Sequence, residues 1–338
     1  MKARQSRNRY LQQRALSAML AAGLLFLVGL TSAADAEAAR NSAFTFAAIG
    51  DMPYELPGKP EKFERLIAAI NRARPAFTVH TGDIISGRTR CSDEHFAQVR
   101  KLFDRFDSAL IYTPGDNEWT DCHRLMGGHY DPLERLAAIR KMFFPRPRAS
   151  LGRQPIDLES QALLQPGRFS AYVENRRFMK NRVLFVTVHV VGSRNNFRPK
   201  DRPAMEEFKA RNAANLAWIA EGFTEAIRQK AVGIVFVWQA NVHATPICNR
   251  GAPYHPAFTG TIRAINTGSE TFRRPVLVVS GDFHFYDVAP FLDVDKKPMP
   301  HVTRLQVFGT DQVHATLVKV DPHDQNIFSF VPLKSLAE

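Results

Sequence analysis

Cysteine is scarce in this 338-residue chain: Cys91, Cys122 and Cys248 are the only three. Three thiols cannot build a disulfide framework, so the fold must rest on a hydrophobic core. At this length, with 45% hydrophobic residues, one or two domains can supply it. Long apolar runs are also scarce. Residues 15–30 form one, and no second run reaches spanning length, so no stable membrane insertion is expected beyond it. Lysine and arginine are scattered and not interleaved with aromatics, so a nucleic-acid groove is not expected. Internal repeats and low-complexity segments are absent as well, and a single domain over residues 37–338 is the economical division.

The one apolar run has a place in the chain that explains it. Lys2, Arg4, Arg7, Arg9 and Arg14 precede it, and Ala34-Asp35-Ala36 follows as a small-x-small cleavage site. That order predicts a secretory signal peptide over residues 1–36, with an uncleaved N-terminal anchor as the alternative. The leader has no Arg-Arg pair, which points to the general export route. A periplasmic or secreted location is therefore expected. Cleavage would lower the net charge from +12 to +8, a basic balance that suits anionic substrates or envelope surfaces.

Apolar periodicity predicts strands over 45–49, 77–79 and 109–112, with helices over 61–73, 93–106 and 132–144 between and after them. This alternation indicates a mostly parallel sheet with crossover helices. Residues 145–165 lose the pattern and read as an excursion on the rim of the site. Strands are expected over 169–174, 183–191, 232–237 and 276–280, and helices over 206–230 and 258–265. Three β-type runs, 302–308, 315–320 and 327–331, close the chain without a helix among them. They are expected to be antiparallel and to belong to a second sheet. The fold class is thus α/β: a two-sheet β-sandwich flanked by helices, with an antiparallel C-terminal part.

Four apolar runs end in the same way, at Gly50-Asp51, Gly82-Asp83, Gly115-Asp116 and Gly281-Asp282. Ligands bind outside the carboxyl ends of strands in open α/β sheets, so the four carboxylates are expected to converge on a metal centre with Asp83 in the middle. Cys91 follows the Asp83 loop and Cys122 the Asp116 loop. If both strands end on one edge, these two form the natural disulfide, leaving Cys248 free; three free thiols are the alternative. His80 and His189, inside apolar runs, read as packed histidines.

The ordered set IGDMPY, HTGDIISG, PGDNEW, VWQANVH and SGDFHFY, spread over residues 49–286, resembles the calcineurin-like metallophosphoesterase family. The resemblance implies a two-sheet sandwich, a dinuclear metal centre and hydrolysis of phosphomonoesters or phosphodiesters by metal-activated water. Its residues carry over unevenly. Asp51 and Asp83 match the first aspartate and the metal-bridging aspartate, and His284 the second histidine of the last motif. Pro53, Asn117, Gln239 and Asp282 stand where the family has histidine, and Asp116 stands at its asparagine. The implied half-sites are Asp51, Asp83 and His284, and the oxygen-only set Asp83, Asp116, Asp282 and the Gln239 carbonyl. Oxygen donors favour Mg²⁺, Mn²⁺ or Ca²⁺, with Zn²⁺ or iron as alternatives, in two sites.

Asn117 occupies the slot of the family's catalytic histidine and can position a phosphate but not protonate a leaving group. His123 and His243 are the candidates for that acid role. Tyr54 and Glu55, beside Pro53, are potential replacements at the first metal. Arg124, Arg194, Asn195 and Asn196 are candidate phosphate contacts. A metal-dependent phosphoesterase is the expectation, and a catalytically impaired metal- or phosphate-ligand-binding protein on the same fold is the alternative. The residues say nothing of the oligomeric state.

Overall fold

Along β1 (Phe44–Ile49), Phe46 and Ala48 face one way and Ala47 and Ile49 the other, and both faces are buried. Such a strand belongs in a sheet covered on both sides. The computed structural model, which describes residues 42–56, 60–243 and 254–335, shows how. The leader expected over 1–36 and Cys248 lie outside the described residues.

After β1 come α1 (Glu61–Ala73), β2 (Phe77–His80), α2 (Asp93–Phe103), β3 (Ala109–Tyr112) and α3 (Pro132–Phe143). Helix α2 starts where Ser92 Oγ accepts from His95 N, and α3 where Asp131 accepts from Leu133 N ahead of a first-turn proline. Next are β4 (Glu159–Ser160), β5 (Arg176–Lys180), β6 (Val183–Thr187), α4 (Arg202–Arg228), β7 (Gly233–Val237), α5 (Pro256–Phe272) and β8 (Val276–Ser280). The described chain closes with β9 (Asp287–Leu292), β10 (Pro298–Gln306), β11 (His314–Val320) and β12 (Phe328–Lys334).

Two sheets result, in the orders β12-β11-β1-β2-β3 and β4-β5-β6-β7-β8-β10-β9. Strands β1, β2 and β3 are parallel, as are β6, β7, β8 and β10. The sheets pack through their inner faces, where Phe46 lies 5.3 Å from both Phe77 and Phe185, centroid to centroid. Aromatic pairs of this kind add about 0.5–1.5 kcal/mol each beyond their buried area. Helices α1, α2 and α3 cover the outer face of the first sheet through Phe63, Phe96, Phe103 and Phe143. Helices α4 and α5 cover the second through Trp218, Phe223, Phe258 and Ile262. The α/β two-sheet sandwich expected from the sequence is the observed fold.

Several local expectations change. No strand spans 169–174: Pro166–Phe169 forms a helical turn and the strand follows as β5. Strand β9 was not anticipated. The closing runs divide between the sheets, β10 entering the second sheet parallel to β8 while β11 pairs antiparallel with β1 and β12 antiparallel with β11. A period of two identifies a strand but leaves its partner open. Within residues 145–165, Leu151 lies along the open edge of β3, where it exchanges two backbone hydrogen bonds of 2.9 Å with Leu110, while Glu159–Ser160 joins the second sheet as β4.

Cys91 and Cys122 form a disulfide. It ties the loop after β2 to the loop after β3, and both sulfurs rest within 3.5 Å of the Asn117 carbonyl oxygen. Closing this loop should contribute about 3–4 kcal/mol. The double variant Cys91→Ala/Cys122→Ala is expected to lose that amount in urea denaturation; an unchanged midpoint and slope would contradict it.

Candidate metal centre

Within each sheet the parallel strands end on one edge, and the packing of the two sheets brings those edges together. β1 delivers Asp51, β2 Asp83, β3 Asp116, β7 Gln239 and β8 Asp282. Each turn is fastened to the next: Asp51 N donates to Gly82 O at 2.9 Å, Thr113 N to His80 O at 3.1 Å, and Gly281 N to Gln239 O at 2.9 Å. Asp51, Asp83 and Asp282 have φ of 54°, 53° and 85°, in the left-handed region. Such residues cost about 1–3 kcal/mol each and persist where the surroundings force them. Gly82 is required by space as well as by its φ of 101°, because a Cβ there would fall 2.4 Å from Gly115 N.

His80 clamps two of these loops from below. Its Nε2 lies 2.9 Å from Met52 O and its Nδ1 accepts from Gly82 N at 3.1 Å, an arrangement that one neutral tautomer satisfies. Complete burial keeps the ring neutral by pulling its pKa down to about 3.

Asp83 lies at the middle of the polar contacts. Its Oδ1 accepts from Asn117 N at 3.1 Å, and its Oδ2 accepts from Asn117 Nδ2 at 3.0 Å, Gln239 Nε2 at 3.2 Å and the Tyr54 hydroxyl at 3.3 Å. On one side, His284 Nε2 is 3.6 Å from Asp51 Oδ1 and 3.3 Å from the Tyr54 hydroxyl. On the other, Asp116 Oδ1 and Asp282 Oδ1 face the same space above Gly192, both within 2.9 Å of where a Cβ on that glycine would sit. Asp51 also accepts from Asp282 N at 2.9 Å.

These carboxylates are crowded and dry. Burial first, and then the neighbouring acids, raise the pKa values of Asp51, Asp83 and Asp116 well above the carboxylate range; burial raises Asp282 to about 6. The charges acting on them are acidic, one another's together with those of Glu118 and Asp121. Asp116 Oδ1 and Glu118 Oε2 are buried without a hydrogen-bond partner. Buried acids with spare lone pairs are what a divalent cation compensates, and the donors, mostly oxygen with one imidazole, fit hard cations. Among the described residues no three His, Cys, Asp or Glu side chains already surround one point, because the aspartates are turned toward backbone N–H groups, Asn117 and Gln239. A cation would have to compete for those lone pairs.

The sequence-derived residues fall into three groups. Asp51, Asp83, Asp116, Asp282, His284 and Asn117 share the centre. Gln239 is there too, but its carbonyl accepts from Gly192 N and its amide faces Asp83, so it acts as a donor to the carboxylate rather than as the oxygen ligand expected. His123 and His243 lie elsewhere. His123 Nδ1 is 2.8 Å from Thr120 O, and its exposed ring lines a cavity beside the carboxylates. The His243 ring turns to β9, with Nε2 3.0 Å from Leu292 O. Neither is placed as a proton donor at the carboxylates.

Glu55 pairs with Lys62 at 3.9 Å, whereas Tyr54 places its hydroxyl between Asp83 and His284. Asn241, whose N–H donates to Asp282 Oδ2 at 3.1 Å, and Gly192 were not anticipated. Gly192 follows a strand in the same way as the glycines of the four Gly-Asp pairs, but without an acid to mark it.

Two measurements probe this geometry. His80→Ala should cost about 2–4 kcal/mol, because it opens a cavity and leaves the Met52 carbonyl and Gly82 N–H unpaired; a loss below about 0.5 kcal/mol in chemical denaturation would refute the clamp. The second concerns charge. The folded Asp282 pKa near 6 lies above an unfolded value of about 3.9. Its ionised form therefore destabilises the metal-free fold above pH 6, and that penalty fades as pH falls toward 4. Asp282→Asn in EDTA should melt about 2–4 °C above the parent at pH 7.5, with the gap falling by roughly half at pH 5 and closing near pH 4. A lower melting point at pH 7.5 would count against the crowding.

Comparison with solved structures gives PhoD, at TM-score 0.54 and 12% identity, covering 83% of this chain and 64% of that one. This chain therefore spans just under two thirds of PhoD's length. Purple acid phosphatase PPD1 from yellow lupin (Lupinus luteus) seeds aligns at TM-score 0.49 and 12% identity, covering 87% and 54%. GAP50, the anchor in the inner membrane complex of Plasmodium, aligns at TM-score 0.45 and 10% identity, covering 88% and 90%. No curated protein sequence matches the chain. The family model for calcineurin-like phosphoesterases matches residues 44–286. That range runs from β1 through all four strand-end aspartates to Tyr286, and the chain belongs to the calcineurin-like phosphoesterase family.

Proposed function

We propose that the protein is an exported, divalent-metal-dependent phosphoesterase acting on phosphomonoesters or phosphodiesters. The observation that carries this reading is the meeting of Asp51, Asp83, Asp116 and Asp282 with His284 at one edge of the two sheets. Asp51, Asp83 and His284, with the Tyr54 hydroxyl, would hold one cation; Asp83, Asp116 and Asp282 would hold the other. Bound there, Mg²⁺, Mn²⁺ or Ca²⁺ supplies positive charge against the phosphate oxygens and lowers the pKa of water.

The chain's own residues do the rest. Asn117, fixed by two hydrogen bonds to Asp83, offers its amide to a phosphate oxygen by exchanging the bond that its Nδ2 makes to the Tyr54 hydroxyl. Gly192 keeps the space between Asp116 and Asp282 open. The Tyr54 hydroxyl, 3.1 Å from Asn117 Nδ2, orients the same group. With His123 and His243 turned away, leaving groups of low pKa, which depart without protonation, suit the site best. Export is supported by the leader and by the disulfide, which persists in an oxidising compartment.

The test is metal analysis of the purified protein, with turnover of p-nitrophenyl phosphate and bis-p-nitrophenyl phosphate under Mg²⁺, Mn²⁺, Ca²⁺ and Zn²⁺. Asp83→Ala should lower kcat/KM by at least about 10³-fold, the scale of losing one dominant electrostatic contact. Activity unchanged in Asp83→Ala would reject the site. Metal or phosphate binding without turnover on either substrate would favour the binding-protein alternative.

A further inference from the structure

Beside the carboxylates opens a cavity of about 680 Å³ whose wall carries Arg124, Arg194, Arg198 and Lys200. Residues of its wall neighbour residues of the centre at two points. Ser193, in its wall, follows Gly192, the residue that faces Asp116 and Asp282. Arg124 Nη1 and Asn117 Oδ1 approach the same spot at Gly87, at 3.5 and 2.8 Å from where a Cβ would sit. Arg124, in the cavity wall, and Asn117, at the centre, are thus neighbours across Gly87.

Its charge is unbalanced. Two acids line it, and both are committed. Asp121 is buried and bound to Arg124 at 2.7 Å and to the Ser193 hydroxyl at 2.8 Å, while Asp201 accepts from Ala204 N at the start of α4. Arg124 is half exposed despite its pair, and Arg194 and Lys200 reach solvent. Arg198 is fixed by donation to Thr120 O at 2.7 Å. Four cations against two occupied carboxylates attract a compact polyanion.

The backbone that presents them is strained. Ser193, Arg194, Asn195 and Asn196 have φ of 44°, 61°, 55° and 59°, each costing about 1–2 kcal/mol in the left-handed region. The buried Arg211 maintains the turn through Asn195 and His189 O, and Glu207 through Asn196. A fold that sustains four such residues there is fixing the position of Ser193 and Arg194.

We propose that this cavity is a subsite for a second phosphate, and that the substrates are phosphoanhydrides: inorganic pyrophosphate or an organic diphosphate. This deepens the phosphoesterase reading and rests on it. One phosphoryl group sits at the carboxylate centre and the other among Arg124, Arg194, Arg198 and Lys200. Water forms a bond to the phosphorus at the centre as the bond from that phosphorus to the bridging oxygen breaks. The electron pair stays on the departing phosphate, and the proton of the water passes to solvent. A phosphate leaves without a general acid, and the cavity cations stabilise the charge it gains; His123, which also lines the cavity, keeps its Nδ1 2.8 Å from Thr120 O.

The experiment separates the subsite from the chemistry. In EDTA at low ionic strength, calorimetric titration should show inorganic pyrophosphate binding at least about tenfold tighter than orthophosphate. The double variant Arg198→Gln/Lys200→Gln should bring that ratio to near one, with thermal melting confirming the fold; Arg194→Gln provides a second variant if it does not fold. With metal added, the preference in kcat/KM for pyrophosphate over p-nitrophenyl phosphate should fall about tenfold in the same variant. Equal binding of the two anions, or a ratio unmoved by the variants, overturns the subsite even if p-nitrophenyl phosphate is hydrolysed. Tight, variant-sensitive pyrophosphate binding without turnover of any phosphate ester upholds the subsite while rejecting the phosphoesterase reading.

Discussion

Mutual repulsion among buried carboxylates is the constraint on which the rest of this structure depends. Asp51, Asp83, Asp116 and Asp282 are held at the ends of four strands with little solvent and mainly one another as charged neighbours. Left alone, such a group would spread apart or take up protons. The chain prevents the first through a rigid base. Two interlocked sheets set the strand ends, His80 ties the Asp51 loop to the Asp83 loop, and the Cys91–Cys122 bridge holds the Asp83 loop to the loop that carries Asn117. A site built this way stores unfavourable electrostatic energy that only a cation or protons relieve.

The donor chemistry departs from an imidazole-rich centre in a consistent direction. Where histidines are missing, oxygen and amide groups occupy the surroundings: Tyr54 beside the buried Pro53, Asn117 over Asp83, Gln239 between Gly192 and Asp83. The result favours hard cations but offers little general acid catalysis. The basic cavity beyond Asn117 fits that deficit, because an anionic leaving group stabilised by arginine needs no proton.

The strained Ser193–Asn196 turn links the two regions. One end places Gly192 against the carboxylates and the other presents Arg194 and Ser193 to the cavity, while Arg211, Glu207 and the His189 backbone fix it from the core. His189 itself packs against Trp119 and pairs with Glu174, so a histidine that sequence reading assigns to the core supports the site from behind.

Much of this was legible in the residues. Alternating strand and helix periods gave the layers, and the recurring Gly-Asp turns located the four acids, because a parallel sheet brings strand ends to one edge whatever its details. The same reasoning paired Cys91 with Cys122. Other features had no local signal. Side-chain direction separated Asn117 from His123 and His243, which lie in the same loops as site residues and are turned away by backbone contacts to Thr120 and Leu292. Nothing in the sequence distinguished Tyr54 from Glu55, and the division of the last strands between sheets depended on partners distant in the chain. Residue pattern determined which groups arrive at the sheet edge, since that follows from period and turn chemistry; tertiary packing alone decided which of them face inward, since that depends on contacts between segments far apart.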